Sequence, residues 1–312
     1  MIYTLTLNPA WDLTYLTGAL TFGLNRAKSC VGKAGGKGVN VSRAIRQAGG
    51  DCGTLAVLAG ETGQTIAGAL AAEGMSPVIF STDGETRTNI SAIGEDGTSL
   101  EINGPGASVT GNCRRAMEGW LSAHLKPGDL LCLCGSLPPM SDTRAGNYYT
   151  RLCTLAGQNG AVVVLDCSGA ALTDALRGET PPVLIKPNAG EMAELYRAAT
   201  GAAGLDWKQE DGTPDTDILR QMAASAADLT RTAVLCTLGS QGAVWISDTE
   251  TVYVPAVKVE TAKAEKGAGD TYLGTFLRWV YGSGADIRTA MTHAAEAAAR
   301  LVAGEDEVRD KM

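Results

Sequence analysis

"TLAVLAGETGQTIAGALAAEG", Thr54–Gly74, decides the fold. Its first half, Thr54–Gly60, is a short unbroken apolar run. Its second half is Ala-rich and carries apolar residues at helical spacing. A continuous apolar run, rather than an alternating one, suits a strand of a parallel sheet covered on both faces. The same kind of run recurs at "DLLCLCG" (Asp129–Gly135), "AVVVLD" (Ala161–Asp166), "PVLIKPN" (Pro182–Asn188) and "TAVLCTLG" (Thr232–Gly239). Helical stretches separate these runs: "GVNVSRAIRQAG", "NCRRAMEGWLSAHL", "RAGNYYTRLCTLAGQNG" and "DILRQMAASAADL". Strand–helix repetition predicts an α/β fold with a doubly wound, mostly parallel sheet. "GAVWIS" and "TVYVPA" predict a hairpin at one sheet edge. Two segments break the pattern, about 11–33 and 86–106. Both are polar and short in period, and the second holds "EDGT" between alternating runs, a hairpin signal. They read as insertions forming a small β lid on one domain spanning 1–312.

Composition narrows the function. The chain has 312 residues, 45% of them hydrophobic, with 26 basic against 34 acidic side chains and a net charge of −8. An acidic chain without a basic run argues against nucleic acid or an anionic membrane as partner. No apolar run approaches the ~18–20 residues of a spanning helix, so the sequence reads as a soluble cytoplasmic protein. The eight cysteines lack CxxC spacing and read as small buried hydrophobes in a reducing compartment. Cys132 and Cys134 would share one strand face, which leaves a metal or redox site as the lesser alternative. Two histidines give histidine-based catalysis little material.

Several fragments carry candidate chemistry. "KGAGDTYLGTF", Lys266–Phe276, places Gly267, Ala268 and Gly269 before Asp270 at a helix start. Asp270 could simply cap that helix. Alternatively, bare backbone N–H groups hold an anion and Asp270 takes a proton beside it. "AGGKGVNVSRAIRQAGG", Ala34–Gly50, is no P-loop, because Lys37 is followed by Gly38, and "GAGDTY" lacks the third glycine of a dinucleotide fingerprint. Lys37 and Asn40 in the first turn suit a polyhydroxylated or phosphorylated ligand; close helix packing is the plainer alternative. "LNPAWD" sets Asp12 just after the first strand. "CGSLPP" sets Ser136 after another. "KPNAGE" brings Lys186, Asn188 and Glu191 to a strand end. Asn188 and Glu191 would make a capping box, or reach water around magnesium. "TLGSQGA", Thr237–Ala243, is a glycine turn.

As an ordered set, "TLNPAWD", "AGGKGVNVSRAI", "CGSLPP", "KPNAGE", "TLGSQGA" and "GAGD" resemble the ribokinase / phosphofructokinase B family of sugar kinases over essentially the whole chain. The likeness is greatest to its 1-phosphofructokinase and tagatose-6-phosphate kinase branch. The resemblance implies a ribokinase-like fold whose lid often pairs in homodimers. It implies ATP and Mg2+ as cofactors and a sugar phosphate as substrate, fructose 1-phosphate ahead of tagatose 6-phosphate or fructose 6-phosphate. It assigns Asp270 as base and Gly267, Ala268 and Gly269 as anion hole. It assigns Asp12, Gly35, Gly36, Lys37 and Asn40 to the sugar, and Arg26, Arg87 and Ser136 to the acceptor's phosphate. It assigns Lys186, Asn188, Glu191, Thr237, Gly239, Ser240 and Gly242 to the nucleotide side, with Asn188 and Glu191 holding the metal through water. Glu265 and Lys266 depart from the family's usual Thr or Ser followed by Val. Other readings are a kinase of an unphosphorylated sugar or nucleoside, and an inert nucleotide- or sugar-binding protein.

Overall fold

The computed structural model describes residues 1–141, 147–203, 205–262 and 266–305. The chain begins with β1 (Ile2–Thr6), passes into β2 (Ala10–Thr17) and β3 (Ala27–Gly35), and enters α1 (Lys37–Gln47). There follow β4 (Gly53–Leu58), α2 (Gly60–Ala72), β5 (Val78–Ser81), β6 (Arg87–Gly94), β7 (Ser99–Asn103) and α3 (Gly111–His124). The second half runs β8 (Leu130–Cys134), α4 (Tyr148–Gln158), β9 (Val162–Asp166), α5 (Gly169–Leu176), β10 (Leu184–Ile185), α6 (Ala189–Thr200) and α7 (Thr216–Ala226). It closes with β11 (Ala233–Thr237), a hairpin of β12 (Ala243–Ile246) and β13 (Thr251–Val254), then α8 (Ala268–Ser283) and α9 (Ile287–Ala303).

Among the described residues, nine strands form one sheet in the order β13-β12-β11-β10-β9-β8-β1-β4-β5. It is parallel from β5 to β11, and only the edge hairpin runs antiparallel. Both faces are covered, which is why the strands are apolar throughout. One face packs α3 to α7 around Met117, Tyr149, Leu152, Met192 and Met222. The other packs α1, α8 and α9 around Ile45, Leu273, Phe276 and Met291. A second sheet, β3-β2-β6-β7, is the small β lid. Trp11 fastens it: its ring lies over Gly32, where a Cβ would come within 2.5 Å, and packs beside Ile66 and Leu70 of α2.

The expected strands are present within a residue or two, except at Pro182–Asn188. There only Leu184–Ile185 pairs as β10, because Pro187 has no N–H for a ladder and Asn188 caps α6. Asp12 is not in a connection after β1 but inside β2, paired in register with Lys33 and Asn89. The helix α9 was not among the expected elements. The first residues of the stretch read as "RAGNYYTRLCTLAGQNG" lie outside the described residues. Cys132 and Cys134 do share a face, fully buried with sulfurs 3.4 Å apart. No group of three or more His, Cys, Asp or Glu side chains that could hold a metal ion occurs among the described residues. No described helix is long and apolar enough to cross a membrane.

Strand order reverses between β1 and β8, since the chain leaves β1 toward β4 and returns on the other side. Ligands of open α/β sheets bind at the carboxyl end of such a reversal. Here α1 and α8 meet almost backbone to backbone. A Cβ on Gly274 would fall 2.5 Å from the Val41 carbonyl oxygen and 2.6 Å from the Ala44 Cβ. Gly274→Val is therefore expected to cost about 1–3 kcal/mol by overpacking and to lower Tm by roughly 2–6 °C. Thermal melts followed by circular dichroism check this.

Candidate active site

Charge gathers at the carboxyl edge of the sheet. Asp166 ends β9 with no exposed surface. Its Oδ1 accepts a hydrogen bond from Lys37 Nζ at 2.9 Å, and its Oδ2 faces Lys186 Nζ at 3.4 Å without an aligned hydrogen bond. Burial opposes the Lys37 charge, but Asp166, with further help from Glu191 and Asp270, prevails and raises the Lys37 pKa. Lys186 is itself buried, 5% exposed, directly after β10.

Asp270 sits in the first turn of α8. Gly267, the N-cap, has φ of 89°, and no described side chain caps the helix. The first intrahelical bond runs from the Thr271 N–H to the Gly267 carbonyl. The N–H groups of Ala268, Gly269 and Asp270 therefore belong to the open helix end. A Cβ on Gly269 would lie 3.5 Å from Lys186 Nζ, so any longer side chain would enter the space between them. Asp270 is 8% exposed, and its Oδ2 accepts from Asn40 Nδ2 at 2.8 Å. Desolvation, then Asp166, pushes its carboxyl up to about 6, against the Asn40 hydrogen bond and the charges of Lys186 and Lys37. Asp270 thus does not cap α8 with its side chain. It is a buried carboxylate poised to exchange a proton near neutrality.

The lid forms the opposite wall. Asp12 Oδ1 accepts from Asn89 Nδ2 at 2.8 Å and lies 3.7 Å from Lys266 Nζ. A Cβ on Gly35 would overlap Asp12 Oδ2 at 1.9 Å, so only glycine admits this carboxylate. Gly36, with φ of 123°, and Gly38 let α1 start hard against Thr6, where added Cβ atoms would come within 2.8 and 2.4 Å. Close packing is therefore a true reason for these glycines. It also leaves Lys37 and Asn40 aimed at Asp166 and Asp270. Arg87 donates to the carbonyls of Asn8, at 2.9 Å, and Gly104, at 3.4 Å, while its buried Nε has no partner. Asn8 Nδ2 donates to Ser136 Oγ at 3.2 Å across the β1/β8 reversal.

The nucleotide-side candidates lie next door. Asn188 and Glu191 form a full capping box on α6, each side chain bonded to the other's backbone N–H at 2.9 Å. Thr237 bridges to Asn188, so the glycine turn abuts that helix start. Gly239 and Ser240 are exposed in a short 3-10 turn, Gly239–Gln241. Gly242 is glycine for packing, because a Cβ there would meet the Val254 carbonyl oxygen at 2.2 Å. Arg26 stands apart. It precedes β3 at the end remote from Gly35, about 30 Å along a nine-residue strand. Glu265 lies outside the described residues. Asp166, Asn8, Asn89 and Arg43 join the site without being expected there from the sequence. Asp166 had left one signal, a lone acid closing a wholly apolar strand.

At the carboxyl edge of a doubly wound sheet, an anion-ready helix start thus stands beside a buried carboxylate that can exchange a proton. The model of the pfkB family carbohydrate kinases matches residues 6–310. The chain is 31% identical over 279 residues to the 1-phosphofructokinase of Bacillus subtilis, covering 89% of this chain and 84% of that protein. It is 34% identical over 196 residues to the tagatose-6-phosphate kinase of Staphylococcus epidermidis, covering 62% of each. The phosphofructokinase-2 of Escherichia coli, solved in complex with substrates and products, superposes with a TM-score of 0.83 at 27% identity, covering 96% of this chain and 92% of that one. The chain belongs to the pfkB family of carbohydrate kinases, and it is a kinase.

The raised carboxyl has a thermodynamic sign. Folded Asp270 binds its proton at about 6, and an unfolded Asp near 3.9. Stability therefore falls as pH rises between these values, and holding Asp270 ionised above pH 6 costs about 3 kcal/mol. Asp270→Asn is expected to raise Tm by about 5 °C at pH 8 and to leave it unchanged at pH 4. Calorimetric melts at the two pH values check this.

Proposed function

We propose that the protein transfers the terminal phosphoryl group of ATP to a hydroxyl of a ketohexose phosphate, giving a bisphosphate and ADP. Fructose 1-phosphate is the first choice, with tagatose 6-phosphate and fructose 6-phosphate next. One observation carries the choice of a phosphorylated acceptor. Arg87 is half-buried, bonded only to carbonyls, and forms no ion pair among the described residues. Burial pushes its pKa down, with Asp12 acting the other way. An unpaired guanidinium held against Asn8, whose side chain reaches Ser136, is matched by an incoming phosphate.

In this reading Asp12, Gly35, Gly36, Lys37 and Asn40 hold the sugar, with Asp12 accepting from its hydroxyls. Asp270 takes the proton of the attacking hydroxyl as the new O–P bond forms and the bond to the ADP oxygen breaks. The N–H groups of the Gly267–Ala268–Gly269 turn, with Lys186 alongside, receive the charge on the transferring phosphoryl oxygens. Thr237, Gly239, Ser240 and Gly242 border the nucleotide. Asn188 and Glu191 keep lone pairs beyond those used in the capping box. Two such oxygen donors at an open mouth fit a largely hydrated Mg2+. That ion, when bound, would neutralise polyphosphate charge.

The lid pairs with a second copy in this reading. Leu16, Val31 and Ile93 lie exposed on the same lid face as Asp12 and Asn89, further from the crevice. A second lid stacked there would cover them and bring its own Arg26 toward the phosphate. The insertions at about 11–33 and 86–106 thus belong to a single domain, 1–312. All eight cysteines are unpaired, which fits reaction in the cytoplasm.

A screen of sugars and sugar phosphates by coupled ADP release tests the assignment. Turnover with a ketohexose phosphate is expected; turnover confined to unphosphorylated sugars would overturn it. Arg87→Ala should lose at least tenfold in kcat/KM on phosphorylated acceptors alone. Asp270→Asn should lose ~10²–10⁴-fold in kcat. Wild-type activity should decline as pH falls through about 6, where the Asp270 carboxylate takes up its proton.

A further inference from the structure

Asn40 has two amide ends that differ only in chemistry. One end must face Asp270 and the other must face Arg43. Arg43 Nη1 donates to Asn40 Oδ1 at 2.8 Å. A guanidinium has donors and no acceptor, so the oxygen of the amide is drawn to it. The NH2 end is left pointing the other way, at Asp270 Oδ2, 2.8 Å distant. Arg43 is itself held on two sides. Its Nε and Nη2 grip Glu73 at 2.5 and 3.0 Å, and Nη2 also donates to the Ala34 carbonyl at 2.8 Å. Glu73 is the C-cap residue of α2, and Ala34 is the penultimate residue of lid strand β3. Three elements, α1, α2 and β3, therefore meet on one side chain that is only 14% exposed.

We propose that Arg43 is the positioning residue for the base: it fixes the orientation of the Asn40 amide and so keeps an N–H, not a carbonyl, against the Asp270 carboxylate. The inference deepens the assignment of Asp270 as base and rests on it. Without Arg43 the amide is free to turn over. Its oxygen would then face a carboxylate oxygen, which repels the ionised base and favours its protonated form. The other groups around Asp270 do not replace this control. Asp166 on β9 adds negative charge, while Lys37 on α1 and Lys186 after β10 add positive charge. The Cys134 thiol on β8, pushed well up by Cys132 and by burial, stays neutral. None of these reports which way an amide points. Arg43 makes no contact of its own with Asp270, so its influence passes through Asn40.

The test is a double-mutant cycle of Arg43→Met and Asn40→Ala, read in two ways. The first readout is the titration of the Asp270 carboxyl carbon by NMR, assigned by its absence in Asp270→Asn. The second is the acid limb of kcat/KM. Arg43→Met is expected to move both upward by about one pH unit, roughly a tenfold loss of ionised base at a given acidic pH. Asn40→Ala is expected to move them similarly, and the double variant no further, because both act on one hydrogen bond. An unchanged titration in Arg43→Met, or shifts that add in the double variant, would overturn the proposal and leave Arg43 a structural residue. Should Arg43→Met not fold, Glu73→Ala, which unfastens the guanidinium but leaves it in place, is expected to give the same shift in smaller measure; no shift there overturns it as well. Absence of turnover by the wild type with every sugar tested would remove the functional reading. The NMR arm would still decide the orientation of Asn40.

Discussion

Two lysines and two aspartates meet at the carboxyl edge of the sheet, and the rest of the structure depends on their balance. Lys37 and Lys186 clamp Asp166, which has no exposed surface. An unpaired carboxylate at that depth would cost several kcal/mol. The clamp has to be made by side chains from α1 and from the end of β10, so it ties the two halves of the sheet across β1, β8 and β9. Without Asp270 the cluster carries two lysines against one aspartate, and Asp270 brings the charge into balance. Burial and the neighbouring Asp166 still outweigh the Asn40 hydrogen bond and the two lysines, and its carboxyl rises to about 6. One charge cluster thus holds the crevice together and leaves a single group ready to gain or lose a proton.

Much of this was legible in the residues. Apolar runs such as Leu130–Cys134 and Val162–Leu165 read as buried strands, because they are short, continuous and apolar on both faces. The glycine turn before Asp270 was legible as a helix start, since its small residues precede a long apolar helix. The lid was legible as an interruption of period. The short β10 was not: its sequence promises seven residues of strand, and the neighbouring proline and helix cap take most of them. The partners within the site were hidden for a different reason. Asp166 and Asn89 are unremarkable in sequence, and only the tertiary pairing of β9 with α1 and of β6 with β2 sets them beside Lys37 and Asp12; Arg43 lies one helical turn from Asn40, but only Glu73 and Ala34 from other elements fix its direction. Arg26 shows the converse, a residue whose type suits the chemistry but whose place in its own chain is a strand's length away.

In the proposed reading the glycines of the Ala34–Gly38 stretch serve packing and ligand access together. Gly36 and Gly38 bring α1 onto β1, and Gly35 vacates the room that the Asp12 carboxylate occupies. Replacing any of them would disturb both at once, so neither role can be separated by substitution at those positions. In the proposed reading Asn188 and Glu191 carry a similar double duty, beginning α6 and offering oxygens to a hydrated metal ion.

The contact of Gly274 with the Val41 carbonyl bears on how such enzymes diversify. It fixes the gap between the start of α1 and the start of α8 by main chain meeting main chain, a spacing no rotamer can adjust. If Lys37 and Asp270 form the floor of the site, as proposed above, that floor is rigid. Room for a different sugar would then be made overhead, in the lid strands that bear Asp12, Arg87 and Trp11.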